Sequence, residues 1–172
     1  MRIAITGGRK DENGAILFPS LHQLQSFWHL AYNQYGMTHL RHGKAIGTDR
    51  TVAEYVENKN RGWDTTAILP PLPIWNLKRM ALNPRLITIE PFPVDIRIDG
   101  PWPLAGHHRN TRMLQTRPQV EALIAFPGGG GTANCVEAGL RMGIAVWQWE
   151  EDREKKGEFR EIARCRWERG SL

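Results

Sequence analysis

Apolar positions along the chain alternate between two periods. Ile3-Ala4-Ile5 is a short apolar run within Met1–Thr6 that stops at Gly7-Gly8-Arg9, the pattern of a strand buried on both faces. Ser20, with Gln23 in capping-box position, then opens a helix. Leu21, Leu24, Trp28, Ala31 and Tyr35 recur on it at helical spacing until Gly36 supplies the stop. His39–His42 predicts a second strand running into Gly43 and Gly47-Thr48-Asp49. A helix from about Thr48 to Asn60 follows, with Val52, Ala53 and Val56 on one face. Thr65–Leu69 reads as a weaker third strand.

Residues 70–103 carry eight prolines and leave room for a strand only near Leu86–Glu90, so the segment reads as an ordered insertion. The regular pattern then resumes. Ala105–Thr116 is helical, Ala122–Phe126 is a buried strand, and Gly128-Gly129-Gly130-Gly131-Thr132 leads into a helix ending near Met142. Ile144–Trp147 is the last expected strand. Phe159, Ile162, Ala163 and Trp167 are spaced for a C-terminal amphipathic helix. Strands alternating with helices predict an α/β fold: a Rossmann-like, doubly wound, mostly parallel sheet with helices on both faces. The expected organisation is one domain over 1–148, interrupted by the 70–103 insertion, with a C-terminal helix and tail over 149–172.

Composition fits this picture. At 172 residues with 41% hydrophobic and 24% charged positions, the chain can bury one ordinary core. Its strongly apolar stretches run to about five residues, short of a membrane span or a secretory leader, so no membrane partner is expected. Cys135 and Cys165 are too few and too far apart for a disulfide framework or zinc cluster, and a cytoplasmic location follows as the default. Of 23 bases and 18 acids, seven of each fall in Glu150–Arg169, which leaves 16 bases against 11 acids in residues 1–149. That excess favours anionic ligands without separating a nucleotide from a polynucleotide, and a solvated basic surface would look the same.

The strongest local signal is Phe126-Pro127-Gly128-Gly129-Gly130-Gly131-Thr132, between a strand and a helix. Glycines there let the backbone come close to an anion, which the unpaired N–H groups and dipole of the helix favour. Thr132 could cap the helix or donate its hydroxyl to the anion. Gly7, Gly8 and Arg9 end the first strand; Gly43, Gly47, Thr48 and Asp49 end the second and open a helix. In an open parallel sheet ligands sit beyond the carboxyl ends of the strands, so the three turns should share one crevice. For each alone, a tight turn or an Asp49 helix cap is an ordinary explanation. Arg109 and Asn110, in Ala105-Gly106-His107-His108-Arg109-Asn110, add an anion-binding fork and an amide. Adjacent His107 and His108 point apart on a helix, which argues for surface or capping roles; no metal and no cofactor is expected. Trp75 and Trp102 flank the insertion, where either could stack on a base or simply pack.

Taken in order, Thr6-Gly7-Gly8-Arg9, His42-Gly43-Lys44-Ala45-Ile46-Gly47-Thr48-Asp49, Ala105-Gly106 with Arg109-Asn110 and Met113, and Phe126 to Thr132 resemble the SLOG superfamily, most closely its bacterial and phage subfamily of YspA type. The resemblance covers most of residues 1–148. It implies a Rossmann-like fold binding nucleotides or nucleotide-derived ligands. Related phosphoribohydrolases, long labelled lysine decarboxylases, cleave the N-glycosidic bond of nucleoside 5′-monophosphates and carry Pro-Gly-Gly-x-Gly-Thr-x-x-Glu with an arginine and a methionine four positions on. Arg109 and Met113 match the latter pair, with Asn110 in place of a lysine. The glutamate position is Cys135, with Glu137 two residues further along. That departure removes the residue expected to assist catalysis and leaves Asp49, at a helix start facing the same crevice, together with Arg109 as the catalytic candidates. Cys135 itself is either a lowered-pKa thiol or packed core.

Three functions are therefore weighed: a binder of a phosphate-bearing nucleotide derivative, placed first; a nucleotide N-glycosidase; and a single-stranded nucleic-acid binder, disfavoured because basic and aromatic residues are not interleaved. A homodimer is a further expectation of the resemblance.

Overall fold

The computed structural model describes residues 1–9, 13–62, 86–151 and 157–163. Within them the order is β1 (Arg2–Thr6), α1 (Leu21–Trp28), β2 (His39–His42), α2 (Thr48–Asn60), β3 (Thr88–Pro91), α3 (Ile96–Asp99), α4 (Ala105–Gln115), β4 (Ala122–Ala125), α5 (Gly130–Arg141), β5 (Ala145–Glu151) and β6 (Gly157–Ala163). One six-stranded sheet runs β3-β2-β1-β4-β5-β6. β1 to β5 are parallel, and β6 returns antiparallel along β5. The fold is α/β, Rossmann-like and mostly parallel, as the alternating pattern predicts.

Period-2 alternation along β1 divides the core. Ile3 and Ile5 turn to one face, where Leu24, Phe27, Val52 and Val56 of α1 and α2 cover them. Ala4 turns to the other, against Met113 and Leu114 of α4 and Cys135 and Ala138 of α5. Phe27 is fully buried, and each such side chain contributes about 1.5–3 kcal/mol through area removed from water. Helices thus cover both faces, and α1 after β1 and α5 after β4 leave the centre of the sheet on opposite sides. The strand order reverses between β1 and β4, paired in register from Ile3↔Ala122 to Thr6↔Ala125. This is the switch point at which an open α/β sheet has its crevice.

Local signals account for the element ends. Ser20 accepts from the Gln23 backbone N–H at 3.2 Å, and Gln23 Oε1 accepts from the Ser20 N–H at 2.8 Å, closing the capping box. Beyond Trp28 the helix widens over His29–Gln34, where the Tyr35 N–H reaches the Leu30 carbonyl, and Gly36 ends it at positive φ. Arg41 is fully buried on β2. It donates to Glu90 Oε2 at 2.6 Å and to the Thr116 and Met113 carbonyls at the end of α4, tying sheet edge to helix terminus.

The C-terminal helix expected from Phe159 to Trp167 is not formed over its described part: Gly157–Ala163 is a strand. Phe159 points inward onto Trp149 and Phe126, with ring centroids 5.0 Å apart in both pairs, whereas Ile162 is exposed. Tertiary pairing with β5, which itself runs through the expected 148/149 boundary, overrides the helical spacing, and outward Glu158 and Arg160 suit an edge strand. β3 falls on the strand expected near Leu86–Glu90. The strand expected at Thr65–Leu69, Trp75, Cys165 and Trp167 lie outside the described residues. Among the described residues no helix is long and apolar enough to cross a membrane.

Candidate functional site

At the carboxyl ends of β1, β2 and β4 lies a cleft of about 330 Å³. The turn after β1 supplies Gly7, Gly8 and Arg9, the β2–α2 turn Gly43 and Asp49, and the β4–α5 turn Gly129, Gly131 and Thr132. α4 contributes Arg109, Asn110 and Met113, and the segment leading into it Trp102 and Pro103. The three glycine turns expected to share a crevice do share it. Gly47, Thr48, Gly128 and Gly130 stand outside the lining.

The glycines divide by physical cause. A β-carbon on Gly7 would run into the Thr48 side chain, and one on Gly128 into Thr132 Oγ1. On Gly8 it would meet Leu17 Cδ1 at 2.5 Å. Gly47 has φ +93° and sits under the Leu17 and Gly8 carbonyls. Thr48 Oγ1 donates to Gly8 O at 3.1 Å, and the Gly8 N–H donates to Pro127 O at 2.8 Å. These residues lock the three turns to one another. Gly129, Gly130 and Gly131 differ: none has positive φ, and a β-carbon on any of them would meet nothing within 4 Å. Among the described residues no neighbour requires glycine at these three positions. They open the helix that points at the cleft, and α5 has no side-chain cap. The Thr132 and Ala133 N–H groups donate to the Gly129 carbonyl at 3.0 and 3.1 Å, which leaves those of Gly130 and Gly131 without an intrahelical acceptor.

Arg109, Asn110 and Thr132 are buried at the floor. The Arg109 guanidinium lies across the backbone of Gly43, where a β-carbon would overlap Nη1. Among the described residues Nη1 makes only long contacts, 3.4 Å to the Phe92 carbonyl and 3.8 Å to Asp49 Oδ2, and Nε, fully buried, has no partner. Thr132 Oγ1 is likewise buried without a partner, so the hydroxyl does not cap α5. Asn110 plays a different part, donating from Nδ2 to the Gly131 carbonyl at 3.1 Å and bracing the glycine turn against α4.

Asp49 is the one acid among the described lining residues. It lies in the first turn of α2 behind N-cap Gly47 and accepts from the Ala45 N–H at 3.3 Å. Burial pushes its carboxyl above the ordinary range, against Arg109 and the Ala45 and Gly43 N–H groups. Burial also lowers the Arg109 pKa, against the pull of Asp49. Desolvation thus prevails over a loose pair, and the arginine retains unmet demand for negative charge. His42, at the end of β2, is held at about 4 by burial and by Arg109 and Lys44; its Nδ1 accepts from the Lys44 N–H at 3.2 Å.

Cys135 is packed core. It is fully buried, and burial pushes its thiol up to about 12, despite a hydrogen bond with Thr6. Glu137 is exposed and pairs with Arg141 one turn on, away from the cleft. His107 lines the cleft at its exposed rim, while His108 turns away, with Nδ1 2.6 Å from the Asp99 carbonyl oxygen. Sequence reasoning did not find the bracing role of Asn110 or the seating of Arg109 on Gly43, since both depend on neighbours distant in sequence.

The chain matches no protein-family model, and no curated protein matches it. Fold and cleft define an α/β Rossmann-like protein with a polar crevice at its switch point.

Proposed function

We propose that this protein binds a nucleotide or nucleotide-derived, phosphate-bearing small molecule in the switch-point cleft. The observation that carries the reading is the pair of buried polar atoms without partners, Arg109 Nε and Thr132 Oγ1, on residues lining a cleft whose Gly129–Gly131 turn no described neighbour requires. An unpaired buried donor costs about 1–3 kcal/mol, and the several oxygens of a phosphate would offer acceptors to both groups and to the open N–H groups of α5. The volume lies near the lower bound of small-molecule sites and suits one nucleotide rather than two. The resemblance to the SLOG superfamily supports the same ligand class, and we assign the chain there on that resemblance.

The test is thermal unfolding with inorganic phosphate, ribose 5-phosphate and AMP, on wild type and Gly129→Val. Because a β-carbon there would meet nothing within 4 Å, the variant should still fold and should lose the stabilisation by AMP. Equal stabilisation of both proteins refutes the site.

Cleavage of an N-glycosidic bond is the second reading, and Asp49 is the observation in its favour: a buried carboxylate in the cleft, where glycoside cleavage needs an acid near the sugar. Incubation with nucleoside monophosphates decides it, release of free base supporting hydrolysis and intact nucleotide with retained binding opposing it. Binding to a single strand would instead weaken steeply with salt.

A further inference from the structure

We propose that Trp102 is the stacking platform for the base of the bound nucleotide, so that the ligand lies with its phosphate on the buried floor and its base at the open rim. This rests on the phosphate-binding reading above and adds to it the orientation and the source of base recognition. The cleft is polarised. Its buried side groups, Arg109, Asn110 and Thr132, lie at one end of the burial range; Trp102, 59% exposed, lies at the other. An indole left this open while lining a cleft is a large apolar face without a packing role, and it leaves the ring free to stack. Its edge at Cζ3 comes to 3.9 Å from where a β-carbon on Gly106 would stand, so the first turn of α4 backs the ring at van der Waals clearance without covering it. The exposed polar side chains among the described lining residues are Arg9 and His107, so the base meets few groups able to read its hydrogen-bonding edge. Stacking accepts every base, because each has a π-face. The cleft should therefore demand the phosphate and discriminate weakly among bases, purines binding better than pyrimidines through larger stacking area.

Calorimetric titration of wild type, Trp102→Ala and Trp102→Phe with AMP, CMP and ribose 5-phosphate tests this. For wild type, AMP should bind more tightly than ribose 5-phosphate by roughly 5- to 150-fold, the range that base stacking on an aromatic ring supplies. Trp102→Ala should bring AMP down to the affinity of ribose 5-phosphate while leaving the latter unchanged, and Trp102→Phe should restore most of the difference. If Trp102→Ala leaves AMP binding intact, or weakens AMP and ribose 5-phosphate by the same factor, the platform is overturned while the phosphate site stands. If none of the three ligands binds wild type, both readings fall together.

Discussion

The guanidinium of Arg109 occupies the space that a β-carbon on Gly43 would need, so the turn after β2 seats the arginine at the cleft floor by lacking a side chain. Gly43 therefore acts through Arg109. Gly43→Ala should displace the arginine and weaken AMP binding at least tenfold, with a folding cost of about 1–3 kcal/mol from overpacking. Titration calorimetry together with urea unfolding separates the two effects.

Removing the orphaned hydroxyl of Thr132 should have opposite effects on fold and ligand. Thr132→Val keeps the shape and deletes a buried polar atom without a partner, so the unliganded protein should gain about 1 kcal/mol. AMP should bind more weakly, because a donor to its phosphate is lost. A urea midpoint that rises as affinity falls would bear this out.

Gly131→Ala should show the same trade. Its β-carbon would meet nothing within 4 Å, and alanine favours a helical start over glycine by up to about 1 kcal/mol. Stability should rise while AMP binding falls, as the added methyl group stands where a phosphate would approach the backbone.

Acid sensitivity should trace to His42. Its folded pKa is about 4 against 6.5 unfolded, so between these values the unfolded state binds the extra proton and stability falls as pH falls. The full loss by pH 4 is roughly 3 kcal/mol. His42→Asn, which keeps an acceptor for the Lys44 N–H, should flatten the stability profile between pH 6.5 and 4.

Cys135 should be chemically silent in the folded protein. With the thiol fully buried and held near 12, alkylation followed by peptide mass spectrometry should leave Cys135 unmodified in native buffer and modified in denaturant. Cys135→Ala should lower stability by about 1 kcal/mol and leave AMP binding unchanged.

Much of the fold was legible because β1 and β4 are short apolar strands leading into glycine turns, β2 runs directly into Gly43, and α1, α2, α4 and α5 repeat at helical spacing between them. The convergence of the turns followed from parallel topology alone. What the glycines are for was not legible. Gly47 and Gly128 read in sequence like Gly129 and Gly131, yet the first two make room for Leu17, Gly8 and Thr132, and only the last two face the cleft. Gly157–Ala163 misled because Phe159, Ile162 and Ala163 fit a helical face, while pairing with β5 and the rings of Trp149 and Phe126 decide for a strand. The burial of Arg41 on β2 depends on Glu90 and the carbonyls ending α4, neighbours far away in sequence.

A crystal structure of the protein soaked with AMP tests the central claim most directly. The phosphate should lie within hydrogen-bond reach, about 2.7–3.0 Å, of Arg109 Nε and Thr132 Oγ1 at the start of α5. A phosphate found elsewhere on the surface, with these two atoms still without partners, would contradict the account.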